Sequence, residues 1–123
     1  MSYALTISRK HNFLHAKVTG QNSAENIKQY LEEVVKECKE AKCGRVLIEE
    51  ELAGPRLDVV SVFDVASEGS VTSRGLFSAI AYVDICAEGE LMDFAETVAV
   101  NRGLPIRSFR TVIEAEKWLM DRV

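Results

Sequence analysis

The chain has 123 residues, of which 47% are hydrophobic and 28% are charged; these values predict one globular domain, residues 1–123, and exclude a disordered chain. The formal net charge of −4 argues against nucleic acid as a partner, because an acidic surface repels phosphate. No apolar run approaches the ~20 residues of a bilayer span, and the three cysteines form no even-numbered disulfide set. We therefore expect a cytoplasmic protein with reduced thiols and no membrane insertion.

Two alternating patterns open the chain. In Tyr3–Arg9 and in residues 13–19, apolar side chains occupy every second position, which predicts two strands that each bury one face. The polar residues between them favour a turn, so the two strands should pair as an antiparallel hairpin.

A long amphipathic helix is predicted next. Asn22 and Glu25 have the spacing of a capping box at its start, and Gly44 is expected to take the left-handed conformation at its end. The apolar positions recur at helical spacing on one face: Ile27, Leu31, Val34, Val35 and Cys38.

The rest of the chain alternates between strands and helices. Continuous apolar runs predict buried strands, while periodic stripes and capping signals predict helices. The expected elements are a strand at 46–48, a helix at 57–66, a strand at 77–85, a helix through 91–99, a strand at Ile106–Phe109 and a terminal helix opened by Thr111 and Glu114. The order is ββαβαβαβα, and since helical crossovers join parallel strands, the sheet should be five-stranded and mostly parallel with an antiparallel first strand.

Four local sequences carry a resemblance to a known family: GRVLIEEELAGP at 44–55, FSAIAYVD at 77–84, FAETVAVNRGLPIRSFR at 94–110 and EAEKWL at 114–119. With them the chain resembles the SpoIIAA-like (STAS) superfamily, and more closely the bacterial STAS/SEC14-type domain proteins. The resemblance implies an α/β domain of SpoIIAA-like fold.

The same resemblance implies a non-catalytic module that binds or regulates another protein. Related anti-sigma antagonists are switched by a serine in an Asp-Ser-x-Gly-like stretch, where this chain has LAGPRLD at 52–58, so the serine switch does not carry over. The CRAL-TRIO relatives of the superfamily imply the alternative function, a carrier of a small apolar ligand or lipid.

Five residues are candidate contacts to a partner or ligand: Glu49, Glu51, Arg56, Asn101 and Arg102. Glu49 and Glu51 follow a buried strand, where open α/β sheets place ligand sites, and of three consecutive glutamates only these two share a face. A solvated strand end is the favoured interpretation over a metal site. For Arg102, binding of the carbonyls at a helix end is favoured over a partner contact.

We predict no catalytic, cofactor-binding or metal-binding residues. His11 and His15 have no evident nucleophile partner, Cys38 is interpreted as a small buried hydrophobe, and no glycine-rich phosphate loop is present. An enzyme that uses Glu49, Glu51 or Asp84 as acid or base is the least favoured hypothesis. The expected partner is a protein, bound near loops 50–56 and 67–75, or a second copy of the chain bound at the edge strand Tyr3–Arg9.

Overall fold

The computed structural model describes residues 3–10, 12–54, 75–84 and 89–121. Within these ranges five strands form one sheet, and three helices pack on it. The elements in chain order are β1 (Tyr3–Arg9), β2 (Leu14–Gln21), α1 (Ala24–Ala41), β3 (Arg45–Ala53), β4 (Ala79–Asp84), α2 (Gly89–Asn101), β5 (Ile106–Phe109) and α3 (Val112–Met120).

The sheet has the predicted mixed topology. Its strand order is β1-β2-β3-β4-β5, with β1 antiparallel to β2 and every other neighbouring pair parallel. The alternating sequence of β1 explains its position: Leu5 and Ile7 are half-buried on one face, whereas Thr6 and Ser8 are exposed on the other. A strand with one polar face belongs at the edge of such a sheet.

Each face of the sheet has its own apolar core. On one face Tyr30 and Val34 of α1 pack with Val18 and Ile48, and Ala99 of α2 joins the same cluster. On the opposite face Ala115 and Leu119 of α3 pack on the central strands. The central strands are therefore covered on both sides, as their continuous apolar runs predict.

The helix ends show which local signals were correct. Thr111 caps α3 by accepting a hydrogen bond from the backbone N–H of Glu114, as predicted. Asn22 does not cap α1: the cap is Ser23, whose hydroxyl accepts from the N–H of Asn26 at 3.1 Å. A serine hydroxyl at that position reaches the third N–H of the helix, so the start moves by one residue.

The end of α1 also differs from the prediction. Lys42, with φ of 53°, takes the left-handed conformation expected for Gly44. Gly44 instead lies in a close approach, because a Cβ there would lie 3.3 Å from the Oγ of Ser78. Gly103, after α2, has the predicted positive φ, at 91°.

The middle of the chain holds the largest difference from the sequence prediction. The strand expected at 46–48 spans Arg45–Ala53, so the segment from Glu50 to Ala53 is strand and not part of a partner-binding loop. The predicted helix at 57–66 and most of the predicted loop at 67–75 lie outside the described residues.

Candidate functional site

The three consecutive glutamates of β3 lie inside the sheet. Only 8% of the surface of Glu49 and 1% of that of Glu50 is exposed, and Glu51 is half-buried. The prediction of a solvated strand end is therefore wrong for Glu49 and Glu50. The reason is that β3 continues to Ala53: β2 pairs with it along that whole stretch, and β4 pairs with it as far as Glu50.

Glu50 is the centre of a buried polar cluster. Asp84 is its register partner on β4, and Tyr82, two residues earlier, shares the same face of the sheet. From α1 above, the hydroxyl of Tyr30 donates a hydrogen bond to Oε2 of Glu50. Hydrogen bonding with Tyr82 and with Asp84 also acts on the pKa of the Glu50 carboxyl group. We call these four residues the acid–tyrosine cluster.

The cluster occupies a position typical of ligand sites in this class of fold. Asp84 is the last residue of β4 and Glu50 lies in the second half of β3, so both carboxyl groups are near the carboxyl ends of parallel strands. Open α/β sheets bind their ligands at that edge. Here both carboxyl groups are buried, with 1% of Glu50 and 8% of Asp84 exposed, and Tyr30 of α1 lies against Glu50.

The environment changes the pKa of Glu50 and of both tyrosines. Burial, and then the negative charge of Asp84, raise the pKa of Glu50 to about 8, although hydrogen bonds from the two tyrosines act in the opposite direction. Burial, followed by the nearby Glu50 charge, raises the pKa of Tyr30 and of Tyr82 well above the ordinary value. Near neutral pH Glu50 is therefore a protonated acid, and both tyrosines keep the hydroxyl protons that they donate.

A second polar contact lies on the other face of β3. Nε2 of His15 lies 2.9 Å from Oε1 of Glu49, and Nζ of Lys17 lies 4.0 Å from Oε2 of the same carboxylate. Both partners come from β2, where Lys17 is the register neighbour of Glu49. His15 is thus a packed histidine, as predicted, with a carboxylate partner that the sequence did not indicate.

The structure does not bring together the four predicted contact residues that it describes. Glu49 and Glu51 share one face of the central strand β3, but Asn101 ends α2 and Arg102 follows it, before the start of the end strand β5. Nη1 of Arg102 donates to the carbonyl of Val98 at 3.4 Å, which confirms the interpretation of this arginine as a helix-end residue. Arg56 lies outside the described residues.

Sequence reasoning missed Tyr30, Tyr82 and the role of Glu50. A signal for Tyr30 was present: it follows Ile27 by three positions and precedes Val34 by four, so it lies on the buried stripe of α1. A buried tyrosine needs a hydrogen-bond partner for its hydroxyl. A glutamate inside a buried strand has the same need, but the sequence does not show that the two residues meet.

A further tyrosine connects the cluster with β1. The ring of Tyr3 packs edge-on against that of Tyr30, with 6.4 Å between the centroids, and its hydroxyl donates to the carboxylate of Glu33 on α1. Burial, and then this contact with Glu33, raise the pKa of Tyr3 to about 12. The first residue of β1 is thus attached to the helix that covers the cluster.

Among the described residues, no three His, Cys, Asp or Glu side chains converge in a way that would hold a metal ion. The described helices include none with the length and apolar character needed to cross a membrane. Cys38 is fully buried and Cys43 half-buried, both as free thiols.

The sequence matched no protein-family model, and a search of curated proteins returned no similar sequence. Among solved structures, the chain is similar to an uncharacterised protein of the DUF3478 family with a SpoIIAA-like fold, from Shewanella loihica PV-4. The two are 23% identical with a TM-score of 0.59, and the similarity covers 96% of this chain and 94% of the other. This chain therefore has a SpoIIAA-like fold, as the sequence resemblance implied.

Proposed function

We propose that this domain is a non-catalytic, regulatory protein-binding module of STAS type, without the serine switch, and that it binds its partner by strand addition to β1. The observation that supports this most strongly is the position of β1 at the end of the sheet, where β2 is its one neighbour among the described strands. The outer N–H and C=O groups of such a strand pair readily with an extended segment of another chain.

The sequence of β1 does little to prevent such pairing. Edge strands are commonly protected by proline, by charged side chains or by short length. β1 has seven residues, contains no proline and carries no charge before Arg9, and the side chains of Thr6 and Ser8 are exposed beside the open edge. A strand of this kind is suited to accept a partner.

The residues around β1 fit a second copy of the chain. In an antiparallel pairing of two β1 strands centred on Thr6, Tyr3 of one copy lies opposite Arg9 of the other. Because the hydroxyl of Tyr3 donates to Glu33, Arg9 is then placed beside the Glu33 carboxylate. Twofold symmetry forms this ion pair twice. We therefore infer that the partner at this edge is a second copy.

Charge reversal tests the pairing. Sedimentation equilibrium should show a dimer for the wild-type protein. Arg9→Glu or Glu33→Arg alone should raise its dissociation constant roughly tenfold, because two exposed ion pairs are lost and each contributes up to ~1 kcal/mol. The double variant, which restores opposite charges, should regain most of the affinity.

A matched control is Gln21→Lys, which adds one charge at an exposed position of β2 and should leave the dimer unchanged. A wild-type protein that is monomeric at every concentration would contradict the proposal. A double variant that associates no better than the single ones would also contradict it.

The alternative function, carriage of a small apolar ligand between the sheet and its helices, stays a prediction. It requires a bound molecule that survives purification. Native mass spectrometry of freshly prepared protein tests it, because a carrier should show added mass that organic extraction removes.

A further inference from the structure

The two carboxyl groups of the acid–tyrosine cluster are placed to share a proton. Glu50 and Asp84 are register partners on β3 and β4, and both are buried. Two neighbouring carboxylates repel each other strongly where the dielectric constant is low. Glu50 therefore keeps its proton near neutral pH, and a protonated acid can donate that proton to the neighbouring carboxylate.

The groups that face Glu50 on the described elements are few. From α1 the titratable group is Tyr30, and from β4 the groups are Tyr82 and Asp84. From β2 the register neighbour is Val18, which is apolar and fully buried. Both tyrosines donate to Glu50, and they can do so whether Glu50 is protonated or ionised. Ionisation of Glu50 therefore removes only the proton that Glu50 shares with Asp84.

We propose that this shared proton is a pH-sensitive switch, which holds α1 against the sheet while it is present and lets α1 open when it is lost. The proposal does not depend on strand addition at β1. It concerns the attachment of one helix to the sheet within a single chain.

The direction of the movement follows from the topology. After the proton leaves, two neighbouring carboxylates face each other in an environment of low dielectric constant, where repulsion and loss of hydration are both costly. Hydration relieves this cost. β3 and β4 each have a neighbouring strand on both sides, so they cannot separate without breaking the sheet. Movement of α1, which places Tyr30 over Glu50, is the less costly way to admit water.

The pH at which the switch acts follows from the acidity of Glu50. Its pKa of about 8 in the closed state compares with 4.5 for an ordinary glutamate. If the open state ionises like an ordinary glutamate, the ratio of open to closed molecules rises about fiftyfold between pH 6 and pH 8. The switch therefore operates across neutral pH.

Two measurements on the wild-type protein test the proposal directly. Carbon-13 NMR should show the side-chain carboxyl of Glu50 titrating with a midpoint near pH 8. Hydrogen exchange, corrected for intrinsic rates, should show the opening of α1 amides rising about fiftyfold between pH 6 and pH 8. In Glu50→Gln, which stays neutral, the opening should change little over that range. A Glu50 midpoint near pH 4.5, or equal pH dependence in both proteins, would overturn it.

Tyr82→Phe provides a second test that does not require Glu50→Gln to fold. The hydrogen bond from Tyr82 favours the ionised form of Glu50. Its removal should therefore move the Glu50 midpoint and the opening of α1 to higher pH together. A less stable variant that keeps the wild-type titration midpoint of Glu50 and the wild-type pH dependence of α1 opening would show that Tyr82 is merely structural. That result would count against the switch.

Discussion

Replacement of Glu50 by glutamine should change how the stability of the domain depends on pH. The wild-type carboxyl has a pKa of about 8 in the folded chain and an ordinary value of 4.5 when unfolded. Between these values the folded protein holds a proton that the unfolded chain has released, so the free energy of unfolding falls as pH rises. The stability is fully present below pH 4.5 and is lost as pH rises through 8.

The size of this effect follows from the same pKa values. At 1.36 kcal/mol for each pH unit, the complete loss is about 5 kcal/mol, of which about 2 kcal/mol falls between pH 6 and pH 8. The whole stability of such a domain is about 5–15 kcal/mol, so the effect is large. Glutamine cannot ionise, but like the protonated acid it can donate to Asp84 and accept from Tyr30.

Urea unfolding at several pH values, followed by the fluorescence of Trp118, measures this difference. Between pH 6 and pH 8, Glu50→Gln should lose about 2 kcal/mol less stability than the wild-type protein. Glu49→Gln is the matched control, because it removes the neighbouring carboxyl of β3 from the opposite face. If the pH profiles of wild type and Glu50→Gln run parallel, Glu50 ionises as an ordinary glutamate and the reasoning is wrong.

Three other predictions test the fold. Leu47→Ala, in the fully buried core beneath α3, should lower the free energy of unfolding by about 2–5 kcal/mol; a loss below ~1 kcal/mol in urea unfolding would show that this core is loosely packed. Gly103→Ala should cost about 1 kcal/mol or more in the same assay, because φ is 91° there, and no loss would contradict that conformation. Burial raises the pKa of the Cys38 thiol to about 12, so iodoacetamide should label half-buried Cys43 in the native protein and Cys38 only after unfolding, as peptide mass spectrometry would show; rapid native labelling of Cys38 would contradict its burial.

Much of the fold was predictable because its signals are local. The alternation in β1 depends only on the opposite directions of successive strand side chains, and the stripe on α1 only on the helical repeat. The caps at Thr111 and Gly103 likewise involve groups a few residues apart. Such features, with the rule that helical crossovers join parallel strands, were enough to predict the five-stranded mixed sheet.

Local signals were less reliable where two neighbouring residues competed for one role. Asn22 and Ser23 are both good capping residues, and Ser23 is the cap of α1. In the same turn the side chain of Asn26 donates to the carbonyl of Gln21. Gly44 looked like a helix exit, but Lys42 takes the left-handed conformation, and Gly44 instead lies close to Ser78. In each case the competing residue has a contact that the capping pattern alone does not show.

The repeat of residues along single strands and helices was enough to predict the described elements and their order. The meeting of Tyr30, Glu50, Tyr82 and Asp84 follows from the packing of those elements against one another. Their contact depends on the register of β3 against β4 and on the placement of α1, whose Tyr30 reaches Glu50, and neither is encoded in any short stretch of the chain. Burial among these partners gives Glu50 an acidity that its own sequence neighbours do not predict.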